Sequence, residues 1–98
     1  MSEQDLMKGQ VAIVTGAARG IGAAVSGALL DAGASVYMTD VLEEELAQTV
    51  AGLGERAHAS TLDVSDEAGW SALVEQVLAD NGRVDLHTMP SLVVQREV

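Results

Sequence analysis

Cysteine is absent from this 98-residue chain, which excludes structural disulfides and thiolate-bound metals. Aromatic side chains are almost absent too: no phenylalanine, one tyrosine and one tryptophan. Hydrophobic residues still make up 48% of the chain, so Ala, Val, Leu and Gly must build any core, and these suit tight helix–sheet packing. Bases are scarce, five against fifteen acids, for a formal charge of −10. That balance excludes nucleic acid and anionic membrane surfaces as expected partners, because both need a basic face. No apolar run approaches the ~20 residues that span a bilayer. The start, Met1-Ser2-Glu3-Gln4-Asp5, is acidic and polar, unlike a secretory or mitochondrial leader. A cytoplasmic chain is the expectation.

What is present follows a rhythm. Val11-Ala12-Ile13-Val14 is an unbroken apolar run, the pattern of a strand covered on both faces. Ile21, Val25, Ala28, Leu29 and Ala32 then repeat at helical spacing until Gly33. Ser35 to Asp40 is read as a second strand. Leu42, Leu46, Val50 and Leu53 mark a second helix, with Glu43, Glu44 and Glu45 in the first turn where the dipole favours anions. Arg56 to Leu62 gives a third strand. Ser65, Asp66 and Glu67 open a helix that carries Trp70, Leu73, Val74, Val77 and Leu78 on one side and ends at Asn81-Gly82. A fourth strand begins at Val84-Asp85-Leu86. Alternation of this kind predicts an α/β fold, a Rossmann-like doubly wound parallel sheet of about four strands and three helices. One domain of this size buries roughly 60–70% of the surface its extended chain exposes.

The stretch Thr15-Gly16-Ala17-Ala18-Arg19-Gly20-Ile21-Gly22 joins the first strand to the first helix. At such a junction Gly16 permits the sharp turn, Gly20 lets backbone amides reach a pyrophosphate, and Gly22 brings the helix close to the sheet. Unpaired amides at the helix start, with Arg19, then supply the positive field. Alone, the glycines could serve packing only. Asp40 ends the second strand, near the spacing at which a carboxylate takes ribose hydroxyls. It could equally be a solvated strand end. Asp63 ends the third strand, where it could meet an adenine edge or cap the turn before Ser65. Three hits on three successive strand ends favour the cofactor.

Those residues, with Asp63-Val64 and Gly82-Arg83-Val84-Asp85, resemble the classical short-chain dehydrogenases/reductases over about Gly9 to Asp85. The resemblance implies a dinucleotide-binding part over residues 1–85. In it Gly16, Arg19, Gly20, Ile21 and Gly22 line the pyrophosphate, Asp40 takes the adenosine ribose, and Asp63 and Val64 flank adenine. A carboxylate at Asp40 repels the additional phosphate of NADP, so NAD is favoured, although Arg19 could serve a 2′-phosphate. The family's Asn-Asn-Ala-Gly is missing after Asp85, and residues 86–98 are read as a divergent tail. The chemistry implied by the resemblance needs a Tyr, a Lys four residues on and a Ser. The one tyrosine is Tyr37, followed at that spacing by Val41, and the one lysine is Lys8. No catalytic residue is therefore assigned, and isolated His58 and His87 give no metal site. Three readings stand: the cofactor-binding half of an NAD-dependent oxidoreductase acting between alcohol and ketone, a non-catalytic NAD-binding or interaction module, or a truncated product without activity. Nothing in the sequence fixes an oligomeric state.

Overall fold

The apolar run Val11–Val14 becomes the central strand β1, and the sheet is laid down on both sides of it. The computed structural model describes residues 6–63, 65–89 and 92–95. After β1 come α1 (Gly20–Asp31), β2 (Ser35–Asp40), α2 (Glu43–Ala51), β3 (Ala57–Thr61) and α3 (Glu67–Asn81), then β4 (Leu86–Met89) and β5 (Leu92–Gln95). The sheet order is β3-β2-β1-β4-β5. β1 pairs in parallel with β2 and β4, and β2 with β3, while β5 returns antiparallel along β4. Among the described residues no helix is long and apolar enough to cross a membrane.

This topology follows from handedness. Right-handed crossovers that step from β1 to β2 to β3 put α1 and α2 on one face. The return from β3 across to β4 reverses direction, so α3 must cover the other face. Side-chain alternation along the strands separates two clusters accordingly. Ala12, Val14, Val36 and Met38 meet Leu30 of α1 and Leu46 of α2; Val11, Ile13 and Tyr37 meet Leu73 and Val77 of α3. In the first cluster half of the ten buried residues are alanines, Ala12, Ala17, Ala18, Ala34 and Ala57. Small side chains there bring the helices close to the sheet, which compensates for the shortage of large aromatics.

The face of α1 lies one residue away from the expected stripe. Gly22, Ser26 and Leu30 are its buried positions, with Val25 and Leu29 beside them, while Ile21 is 65% exposed and Ala28 is exposed. The cause is that this helix approaches through backbone. A Cβ on Gly22 would overlap the carbonyl of Gly16 and lie 3.0 Å from Ala17 Cα. Ser26 can be buried because its hydroxyl donates to Gly22 O at 2.8 Å. Neither residue carries a hydrophobic signal. At the other end of α1, Arg56 Nη1 donates to Leu30 O (3.0 Å) and Ala34 O (2.9 Å), supplying the cation that the last turn of the helix lacks.

α3 follows its pattern. Asp66 accepts from Gly69 N at 3.1 Å as its cap, and Gly82, at φ 76°, closes it with N–H to Leu78 O at 2.7 Å. Trp70 packs on the α3 cluster, in line with a core role. Tyr37 ties β2 to the end of α3. Its hydroxyl donates to Asp80 Oδ2 (3.1 Å) and accepts from Asn81 Nδ2 (3.0 Å), and its ring stacks on His58 at 4.5 Å. Burial raises its pKa; Asn81 opposes that rise and Asp80 adds to it.

The fourth strand starts at Leu86, two residues beyond the expected start, because Asp85 is committed elsewhere. Its N–H donates to Val11 O (2.9 Å) and its Oδ2 accepts from Val11 N (2.8 Å), while Arg83 Nε donates to the same oxygen at 2.8 Å. Asp85 thus pins β1 to the entry of β4. Leu86–Met89 and Leu92–Gln95, both within the stretch read as a tail, are strands of the sheet.

Two outcomes are expected. Gly22→Ala should cost at least about 2 kcal/mol, because the atoms it meets are backbone that cannot rotate aside, measured by urea unfolding. Partial burial pushes the Asp85 carboxyl up, but hydrogen bonds from Arg83 and Val11 outweigh it and hold the pKa below the ordinary aspartate value. A depressed folded pKa contributes stability that is full above the unfolded value and lost as pH falls through the folded one. Stability should therefore decline from about pH 5 downward, and less steeply in Asp85→Asn. Asp63, also lowered, leaves a residual slope in that variant. Urea midpoints across this range check it.

Candidate functional site

Parallel strands put their carboxyl ends on one edge, and the register brings the candidate residues level. Val14 pairs with Met38 and Asp40 with Thr61. Gly16 and Asp40 therefore stand at the same height on neighbouring strands, with Asp63 two residues beyond Thr61 on the next. The chain leaves β1 toward β2 and later returns to β1's other side as β4, so the order reverses at β1. A crevice beyond the carboxyl ends at such a reversal is where open α/β sheets place ligands. The glycine turn sits there.

The turn has an anchored inner half and an open outer half. Thr15, Ala17 and Ala18 are buried, whereas Arg19, Gly20 and Ile21 are exposed. Ala17 N donates to Thr39 O (2.9 Å), Ala18 N to Asp40 Oδ2 (3.0 Å), and Thr49 Oγ1 of α2 donates to Ala18 O (2.6 Å). Thr39 Oγ1 in turn donates to Val14 O at 3.1 Å. On the open side Gly20 holds φ 63°, which strains any residue with a Cβ, and apart from neighbouring backbone no atom lies within 4 Å of where that Cβ would be. Arg19 caps α1 in extended conformation, with no side-chain cap bond and no acid in the first turn. The first amides of α1, which like those of any helix have no intrahelical acceptor, therefore lack a side-chain cap and form the positive end of the dipole. An anion can use them.

Asp40 contributes in two ways. Oδ2 takes the Ala18 amide and Oδ1 takes Leu42 N at 3.1 Å, so the carboxylate ties the turn to the start of α2. An ionised carboxylate has about four acceptor positions, which leaves two for hydroxyl donors. Asp63 is exposed, and its Oδ1 accepts both Ser65 N (2.9 Å) and Ser65 Oγ (2.7 Å). Those two hydrogen bonds lower its pKa. The turn role weighed for Asp63 is thus formed in full. Arg19, 73% exposed, pairs with Glu45 at 3.7 Å. Val64 lies outside the described residues.

Thr39, Thr49 and Arg56 gave no signal in the sequence. Thr49 reaches 31 positions back along the chain, and no local pattern encodes a contact of that span. Among the described residues no group of three or more His, Asp or Glu could hold a metal. The Tyr37 hydroxyl is engaged by Asp80 and Asn81, away from the strand tips.

Known proteins resemble this chain in sequence and in fold. Residues 10–88 match the pattern described as short chain dehydrogenase. The chain is 33% identical over 92 residues to a 2-dehydro-3-deoxy-D-gluconate 5-dehydrogenase of Dickeya dadantii, covering 93% of this chain and 36% of that protein. It is 36% identical over 80 residues to the 3-oxoacyl-[acyl-carrier-protein] reductase FabG of Haemophilus influenzae, covering 82% and 33%. A solved 3-ketoacyl-(acyl-carrier-protein) reductase from Brucella melitensis, complexed with NADH, superposes with a TM-score of 0.77 at 32% identity, covering 83% of this chain and 33% of the other. The chain spans about a third of the length of these relatives. With most of its length matched by the family pattern and its fold superposing on that of a solved relative, the chain belongs to the short chain dehydrogenase family.

Proposed function

We propose that these 98 residues form the dinucleotide-holding part of an oxidoreductase, gripping NAD at the carboxyl ends of β1, β2 and β3. The observation that carries this reading is the glycine turn, anchored from β2 and α2 and open over Gly20 and the start of α1. The main-chain amides of Gly20, Ile21 and Gly22 hold the pyrophosphate, Ile21 covers it from the exposed side, and Asp40 accepts from the adenosine ribose. Gly16 gives the turn its shape. Asp63 flanks the adenine, kept in place by Ser65. When bound, a nicotinamide supplies hydride exchange with an alcohol or ketone, the class of reaction that the relatives' names imply.

NAD is favoured over NADP for two reasons. A 2′-phosphate about 4 Å from Asp40 would cost on the order of 4 kcal/mol at intermediate dielectric. Arg19, the base that could offset this, faces Glu45 at 3.7 Å in an exposed pair, so its charge is shared in part with that acid. The chain by itself binds and does not turn over. Its one tyrosine is committed to α3, and its one lysine, Lys8, lies ahead of β1.

Calorimetric titration tests the reading. NAD should bind the wild-type chain, and NADP about tenfold or more weakly. Gly20→Val should abolish binding, since it both strains the backbone and fills the open space. Asp40→Ala should weaken NAD and narrow the NAD-to-NADP ratio. That ratio separates a ribose contact from loss of the Ala18 and Leu42 hydrogen bonds, which weakens both cofactors alike. Binding indifferent to both substitutions, in variants with wild-type circular dichroism, refutes the site.

A further inference from the structure

Thr49 is a polar residue on the inner side of a short helix, and a threonine there ordinarily bonds its own helix three or four residues back. Its hydroxyl goes elsewhere, to Ala18 O at 2.6 Å, in a partly buried position. Ala18 is held at both ends, because its N–H is taken by Asp40. The consequence falls on the next amide. No peptide in the described chain is cis, so the N–H of Arg19, sharing a plane with the Ala18 carbonyl, points opposite to it. Holding the carbonyl toward α2 therefore turns the Arg19 amide away from α2. Arg19 itself is extended at φ −159° and ψ 173°, at the edge of the broad β region, which permits more than one setting of that plane. The Thr49 hydroxyl is the side-chain contact on the carbonyl that selects the setting seen here.

We propose that Thr49 is a positioning residue for the pyrophosphate: by holding Ala18 O it aims the Arg19 amide at a phosphate oxygen, without itself touching the ligand. This rests on the dinucleotide reading of the turn. It extends that reading to a residue on α2 and to an amide one position ahead of the helix. A hydroxyl that only helped α2 pack would affect every part of the ligand equally, whereas aiming one amide affects only the phosphates.

The test uses the full chain, titrated calorimetrically with ADP-ribose, which carries the pyrophosphate, and with adenosine, which carries none. Thr49→Val, of the same shape without the hydroxyl, should weaken ADP-ribose about tenfold and leave adenosine within about twofold. Thr49→Ser should restore ADP-ribose binding to near the wild-type value. In 1H–15N spectra of the wild type, the Arg19 amide proton should move downfield on addition of ADP-ribose, as a proton donated to phosphate does. That arm needs no variant to fold. Equal losses for both ligands in Thr49→Val, no loss at all, or an Arg19 amide that stays put would overturn the proposal. Under any of these the dinucleotide reading survives so long as the wild type binds ADP-ribose. A folded wild-type chain that binds no ADP-ribose removes both.

Discussion

The site rests on a constraint of backbone against backbone: α1 crosses the end of β1 with Gly22 on the Gly16 carbonyl. No side chain fits between them. That contact decides how far α1 stands from the sheet and where its first amides point, and it forces the turn to reverse within a few residues. The alanine-rich cluster beneath α1 and α2 continues the same economy, since larger residues at Ala12, Ala17 or Ala34 would push the helix away from the position Gly22 requires. The shortage of aromatics in the composition and the geometry of the turn are two aspects of one packing solution.

Around that contact the site is built by division of labour. Residues buried at the strand tips hold the turn: Thr39 and Asp40 from β2, Thr49 from α2. Residues left exposed, Arg19, Gly20 and Ile21, face outward. Asp40 belongs to both groups, with each oxygen tied to one backbone amide and acceptor capacity remaining. Rigidity in the inner half lets the outer half present unpaired amides without collapsing onto itself.

Much of this was legible in the sequence, and the misses share a cause. The unbroken run Val11–Val14, the caps at Asp66 and Gly82, and the strand end at Asp40 rest on local rules of burial, capping and spacing, and the structure has them where those rules put them. The face of α1 lies one residue from its hydrophobic stripe because its buried centre is Gly22 and Ser26, which hydrophobic periodicity does not register. β4 starts two residues later than Val84-Asp85 suggests, because Asp85 commits its carboxylate to Val11. β5 leaves little trace in the sequence because an antiparallel return of four residues depends on its partner strand more than on its own composition. Thr49 and Arg56 act across 31 and 26 positions, distances at which a sequence pattern carries no information about contact.

The ties on Ala17 and Ala18 come from Thr39, Asp40 and Thr49, a single short run of chain that closes β2 and opens into α2. A one-residue insertion or deletion inside that run would displace several anchors of the turn at once. Its length is therefore under the same constraint as its composition.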